Sequence, residues 1–269
     1  MSELSVLAKE IKKWVVSDYF TPNIKAEVIL DTLLTPYVKQ MLWNECGIHA
    51  DFLTKEMSME EIPPDSTEPE DDRGAKIDYV FAGEDLVYLV ELKTTSGSIK
   101  KDQAKRYIEC CCFKDKAPKT FGSVFGDKLL RILDKKYGKP DDPWRFDAIY
   151  EKFSKGSGEK PALAMEVLRQ KDKASTYKYL YTVSQILEAC PGENDLKALW
   201  DKDLRLVYIT PNGETPHEDL MMCKNFYIHP TDDSGSICLK KAVAELEPEE
   251  NLAEYLQLLQ AIVKEIYKE

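Results

Sequence analysis

The sequence predicts an α/β fold: one domain over 1–269, built on a small mixed β-sheet with helices on both sides and carrying a mostly helical insertion. Three observations predict it. Two adjacent segments, 76–82 (KIDYVFA) and 86–93 (LVYLVELK), are rich in Val, Ile, Tyr, Phe and Leu and are separated by a short turn. A third segment of the same kind, 204–210 (LRLVYIT), appears far downstream. The chain closes on an amphipathic helix whose apolar stripe is Leu252, Tyr255, Leu256, Leu259, Ile262, Val263 and Ile266.

Taken in order, residues 2–16 read as a helix, because Leu4, Leu7, Ile11, Trp14 and Val15 recur at steps of three and four. Asn23 is a candidate N-cap for a second helix from about Ile24, which Pro36 kinks or breaks. Residues 50–58 read as a first strand. Residues 59–72 hold seven carboxylates and three prolines, the composition of a solvated loop. After the strand pair, a helix starts at Ser98 or Asp102 and runs through Gln103, Tyr107 and Cys111. Helices are expected at 161–170 and 175–189, a turn at Pro211-Asn212-Gly213, and a further strand at 224–229. The core thus takes about 24–113 and 204–269, and the insertion about 114–200.

Composition narrows the function classes. Hydrophobic residues make up 43% and charged residues 32%, which excludes a disordered tail. No apolar run reaches the ~18–20 residues of a membrane span, so no membrane partner is expected. The first residues show neither a continuous apolar stretch nor a small-residue cleavage site, and the seven cysteines include no CxxC. Both point to a reducing, cytoplasmic setting. Three scattered histidines make no zinc pattern. The net charge of −11 argues against indiscriminate coating of polyanions, and leaves room for a local basic groove.

The strand pair carries the chemistry. With Gly83-Glu84 as the turn, Ala82 faces Asp85 and Asp78 faces Leu89. Strand side chains repeat with period two, so Leu89, Glu91 and Lys93 share the face of Asp78. Asp78 and Glu91 become diagonal neighbours roughly 7–8 Å apart, able to converge on one cation. Two acids and a lysine in so apolar a segment are costly unless paired or bound to metal. Mg2+ (or Mn2+) suits one or two carboxylates plus waters. The expected ligands are Asp78, Glu91 and the Leu92 carbonyl, with Lys93 beside the activated water and the scissile phosphate.

Asp78, followed by Glu91-Leu92-Lys93 at the end of the next strand, resembles the PD-(D/E)XK nuclease superfamily. Gln103-Ala104-Lys105-Arg106-Tyr107 fits the Q-x3-Y element of its RecB-like and exonuclease-like branch, with Gln103 and Tyr107 on one helical face. Leu206 to Pro211 is similar to the strand that follows this helix in many bacterial members. The match covers about 24–110 and 204–230. It implies a restriction-endonuclease-like core and Mg2+-dependent hydrolysis of phosphodiester bonds, in DNA first and RNA second. The implied catalytic residues are Asp78, Glu91, Lys93, Gln103 and Tyr107. It also implies an acid on the N-terminal helix as an outer metal ligand: Glu27, with Asp31 and Glu45 as alternatives. Ile77 stands where the family name has proline. The cysteine spacing is not that of the iron–sulfur members, so no cluster is expected. A catalytically inactive module of the same fold, binding nucleic acid or a protein, is the alternative function.

Between Glu91 and Thr120 eight cations stand against four acids, so Lys100, Lys101, Lys105 and Arg106 are candidate phosphate contacts. The run Cys110 to Cys112 reads as apolar filling on a helix, and Tyr177, Tyr179 and Tyr181 as packing residues. His49, His217 and His229 read as structural.

Overall fold

The computed structural model describes residues 11, 26–58, 76–98, 101–112, 115, 117–126, 182, 185–186, 189–190, 193–214, 236–248 and 252–267. Outside these lie the rest of the 2–16 helix, Asn23, the acidic loop 59–72, Lys100, the helix expected at 161–170 and most of that at 175–189. The three insertion tyrosines, the strand expected at 224–229, His217 and His229 lie outside too.

Helix α1 (Ala26–Leu34) ends where Pro36 enters. Proline offers no N–H to the helical ladder, so the chain passes through a 3-10 turn, Thr35–Tyr37, before α2 (Val38–Cys46) resumes. Gly47, at φ 64°, closes α2 by returning its N–H to Trp43 O at 2.8 Å, a conformation that favours glycine. Five strands follow: β1 (Ala50–Ser58), β2 (Lys76–Gly83), β3 (Leu86–Leu92), β4 (Asp203–Thr210) and β5 (Ile237–Cys238). They form one sheet in the order β1-β2-β3-β4-β5. The first three are antiparallel neighbours, and β4 and β5 are parallel additions. Helix α3 (Lys101–Cys111) follows β3, α4 (Glu193–Asp201) precedes β4, and α5 (Leu239–Ala244) and α6 (Ala253–Ile266) end the fold.

The architecture is therefore mixed α/β, with helices on both faces of a mixed sheet. One face carries Val80, Leu89 and Leu206 against Ala104 and Tyr107 of α3, and against Phe121, Phe125 and Trp200. The other carries Phe81, Val90 and Val207 against α1, α2, α5 and α6. Each such fully buried side chain contributes roughly 1.5–3 kcal/mol of transfer free energy. Cys111 and Cys112 are buried in the core of the first of these faces. Among the described residues no helix is long and apolar enough to cross a membrane.

The structure departs from expectation in the following details. The hairpin turn is Glu84-Asp85, not Gly83-Glu84, so Ala82 faces Val87 and Val80, not Asp78, faces Leu89. Moving a two-residue turn by one position keeps strand parity, so the predicted faces survive. Helix α3 starts at Lys101, and Ser98 closes a separate 3-10 turn. The stretch from Pro118 to Phe121 belongs to the core, since Thr120 bridges Asp203 and the Phe121 N–H reaches Lys202 O at 2.8 Å. Gly122 beyond it lies so close to the Trp200 indole that a Cβ would sit 2.0 Å from its Cδ1, so a side chain here would force the indole to move. Finally, β5 and α5 were not anticipated.

Candidate functional site

The β2–β3 register pairs Tyr79 with Val90 and Val80 with Leu89. Continued by one residue, it sets Asp78 directly opposite Glu91, where the sequence alone placed them diagonally. The ladder gives way at this point to a side chain: the Leu92 N–H donates to Asp78 Oδ2 at 2.7 Å. Lys93 lies one residue past β3, its N–H held by Ile209 O at 2.8 Å. Because Glu91 and Lys93 are two apart in extended chain, their side chains meet, with Nζ 2.5 Å from Glu91 Oε1.

Helix α3 completes the cluster. Gln103 and Tyr107 are one turn apart on its inner face. Gln103 Nε2 donates to Glu91 Oε1 at 2.9 Å and to Tyr107 Oη at 2.6 Å. Tyr107 Oη stands 2.5 Å from Lys76 O and 2.9 Å from Glu91 Oε2. The five predicted catalytic residues are thus joined by two strands and a helix around one glutamate. Glu91 is 1% exposed and Lys93 8%, whereas Asp78 and Gln103 are partly exposed as residues.

The electrostatics are those of a buried surplus of negative charge. Burial raises the Asp78 pKa well above the usual carboxylate range, and the facing Glu91 raises it further, against the Leu92 N–H and Lys93. Burial likewise raises Glu91, while Lys93 and Tyr107 hold it down in part. The phenol offers one proton to two acceptors, Lys76 O and Glu91 Oε2. Two carboxylates share one lysine here, a donor set short of positive charge. Asp78, Glu91 and the Leu92 carbonyl are the groups able to take an ion. Among the described residues no set of three or more His, Cys, Asp or Glu side chains is gathered for that purpose.

The remaining predicted residues are dispersed. The side chain of Glu27, on α1, lies outside the described residues. Of its alternatives, Asp31 accepts a hydrogen bond from Tyr79 Oη and adds to the upward shift of Asp78, whereas Glu45 is paired with Lys241 of α5 at 3.1 Å. Lys101, Lys105 and Arg106 are exposed on α3. At ~100° per residue, Arg106 stands about 60° from Gln103 around the helix, and Lys105 roughly 160° away. Of the described basic residues on α3, Arg106 therefore stands nearest the site's flank.

Several neighbours escaped the sequence reading. Tyr208 on β4 pairs with Glu91, is buried, and sets its ring 6.3 Å from that of Tyr107. The alternation Leu204, Leu206, Tyr208 carried that signal, since it is in phase with Leu89 and Glu91 across the parallel ladder. Exposed Glu56 of β1, at φ 55°, falls by register opposite Asp78. The turn after β4 sends Glu214 to Ser96, and Tyr267 reaches Thr94. No family model, curated protein or solved structure matches the chain.

Proposed function

We propose that the chain is a Mg2+- or Mn2+-dependent nuclease of the PD-(D/E)XK type with a restriction-endonuclease-like core, acting on DNA. The observation that carries this reading is the convergence on Glu91. Lys93 and Gln103 bond one carboxylate oxygen and Tyr107 the other, with Asp78 across the strand. A surface ion pair needs none of this, and burial of so many polar groups is costly without a task for them. The occurrence of β4 just where the resemblance requires a strand adds support.

In this reading Asp78 and Glu91, with the Leu92 carbonyl, hold the ion, which when bound lowers the pKa of a coordinated water. Lys93 sits against Glu91 and is placed to orient that water and to offset charge developing on the phosphate. Gln103 and Tyr107 hold the Glu91 carboxylate in one orientation, because each of its oxygens already has a donor. Arg106, on the flank of Gln103, steers the backbone of the substrate.

A second reading, a catalytically inert module of the same fold, draws on the burial of Glu91 and Lys93, whose mutual ion pair already satisfies both. One experiment separates the two. Linear, circular and single-stranded DNA, and RNA, are incubated with the protein in Mg2+, Mn2+ or EDTA, alongside Asp78→Asn. Cleavage that needs the metal and is lost in Asp78→Asn supports the nuclease. Absence of cleavage, with no Mn2+ site by calorimetry, selects the inert module.

A further inference from the structure

The lysine of the cluster is presented by a segment, Thr94 to Ser98, that no motif marks. Three ties hold it. The first is the Lys93 N–H on Ile209 O, which extends the β3–β4 ladder by one residue. The second comes from the turn after β4. There Glu214 Oε1 accepts from Ser96 Oγ at 2.5 Å, while Asn212 donates to both oxygens of the same carboxylate, its N–H at 2.9 Å and its Nδ2 at 3.0 Å. Partial desolvation works against the charge on Glu214, yet these hydrogen bonds pull its pKa down to about 2. The third comes from the C-terminal helix: Tyr267 Oη donates to Thr94 O at 2.5 Å. Tyr267 is the residue immediately after α6, half-buried against the core of that face.

We infer that Tyr267 is a positioning residue for the site. Its hydroxyl, acting with the Glu214–Ser96 tie, fixes the backbone just past Lys93 and so the direction in which the ammonium meets Glu91. The inference rests on the nuclease reading. The geometry favours it over simple helix anchoring, because α6 is already docked elsewhere: Tyr255 Oη donates to Leu33 O of α1 at 2.9 Å, and Leu256, Leu259, Ile262 and Ile266 are buried. Tyr267 spends its hydroxyl on the carbonyl next to the catalytic lysine instead.

The test is a matched pair on one helix. Tyr267→Phe and Tyr255→Phe each delete one hydroxyl that donates to a backbone carbonyl, and each keeps its ring. In the Mg2+-dependent cleavage assay Tyr267→Phe is expected to lose about tenfold in kcat with KM within about twofold, the pattern of a misplaced reacting group. Tyr255→Phe keeps kcat. Ser96→Ala, which cuts the Glu214 tie without touching α6, is expected to show the same loss of kcat. Combined with Tyr267→Phe it gives less than the product of the two, because both act on one segment. An unchanged kcat in Tyr267→Phe, or an equal loss in Tyr255→Phe, overturns the inference and leaves the nuclease reading standing. A wild-type protein that cleaves nothing overturns both.

Discussion

Replacing Tyr107 by Phe tests the cluster without reference to any activity. The substitution keeps the ring against Tyr208 and opens no cavity. It deletes one hydroxyl that meets Lys76 O, Glu91 Oε2 and Gln103 Nε2. A buried polar group left without its partner costs ~1–3 kcal/mol. Gln103 retains its bond to Glu91 Oε1, so the three penalties overlap; the expected loss is about 2–4 kcal/mol. At ~2–4 °C per kcal/mol for a chain of this size, Tm falls by on the order of 10 °C. The loss also depends on pH. Burial, with Glu91 beside it, pushes the phenol's pKa far up, so Tyr107 remains a proton donor throughout the usual range. Its bond favours the charged form of Glu91, and without it the carboxyl pKa in the folded state climbs further above the unfolded value. That extra penalty is absent below the unfolded pKa and grows as pH rises through the folded one. The assay is thermal unfolding of Tyr107→Phe and wild type by circular dichroism at pH 4 and pH 8. A Tm within about 1 °C of wild type at both pH values would refute the cluster, since even one orphaned buried group costs more.

Further outcomes follow from the same geometry. Asp78→Asn keeps an acceptor for the Leu92 N–H and removes a charge that burial and Glu91 disfavour; because the folded pKa is raised, the variant is expected to be more stable than wild type at pH 8, the gain vanishing below the unfolded carboxylate pKa of ~3.9. Urea denaturation at pH 3.5 and 8 reads this, and a variant less stable at pH 8 contradicts it. Lys93→Met leaves Glu91 buried without its cation and costs roughly 3–5 kcal/mol near neutral pH, most of which Glu91→Gln restores in the double variant; strictly additive losses in a double-mutant cycle would show that the pair is not coupled. On the nuclease reading, salt titrations of DNA binding are expected to show Arg106→Ala lowering the slope by about one contact's worth, ~0.9, and Lys105→Ala by less. Equal effects would mean that α3 does not present Arg106 toward the substrate.

The hairpin, α3 and α6 were legible because each is written in local periodicity: alternation in 76–93, a turn's spacing between Gln103 and Tyr107, a stripe from Leu252 to Ile266. Pro36 likewise announced the break between α1 and α2. The turn was misplaced by one residue because Gly83 is a strong turn former, yet here it is the last residue of β2. Parity rescued the site, since the error moved pairing without changing faces. What stayed hidden was long-range. Two residues of β5 leave no periodic trace, and their pairing with Ile209 and Thr210 depends on a chain segment nearly thirty positions away. Glu214 and Tyr267 reach the segment after Lys93 through strand order and helix docking, neither of which spacing encodes. Single basic residues on α3 were visible as charge, but their separation into a flanking Arg106 and a distal Lys105 needed the helix to be anchored by Gln103.

The side-chain bonds to Glu91 described above come from Lys93, Gln103 and Tyr107, whereas Tyr208, the Ile209 carbonyl and Tyr267 arrive from far downstream in the chain. During synthesis the hairpin and its helix emerge first and lack the wall that β4 provides. The cluster around Glu91 is therefore drafted early and ratified late. Its assembly waits for a parallel pairing of high sequence separation, the slow kind of contact to form. A nascent or truncated chain would carry all five predicted groups without holding them still.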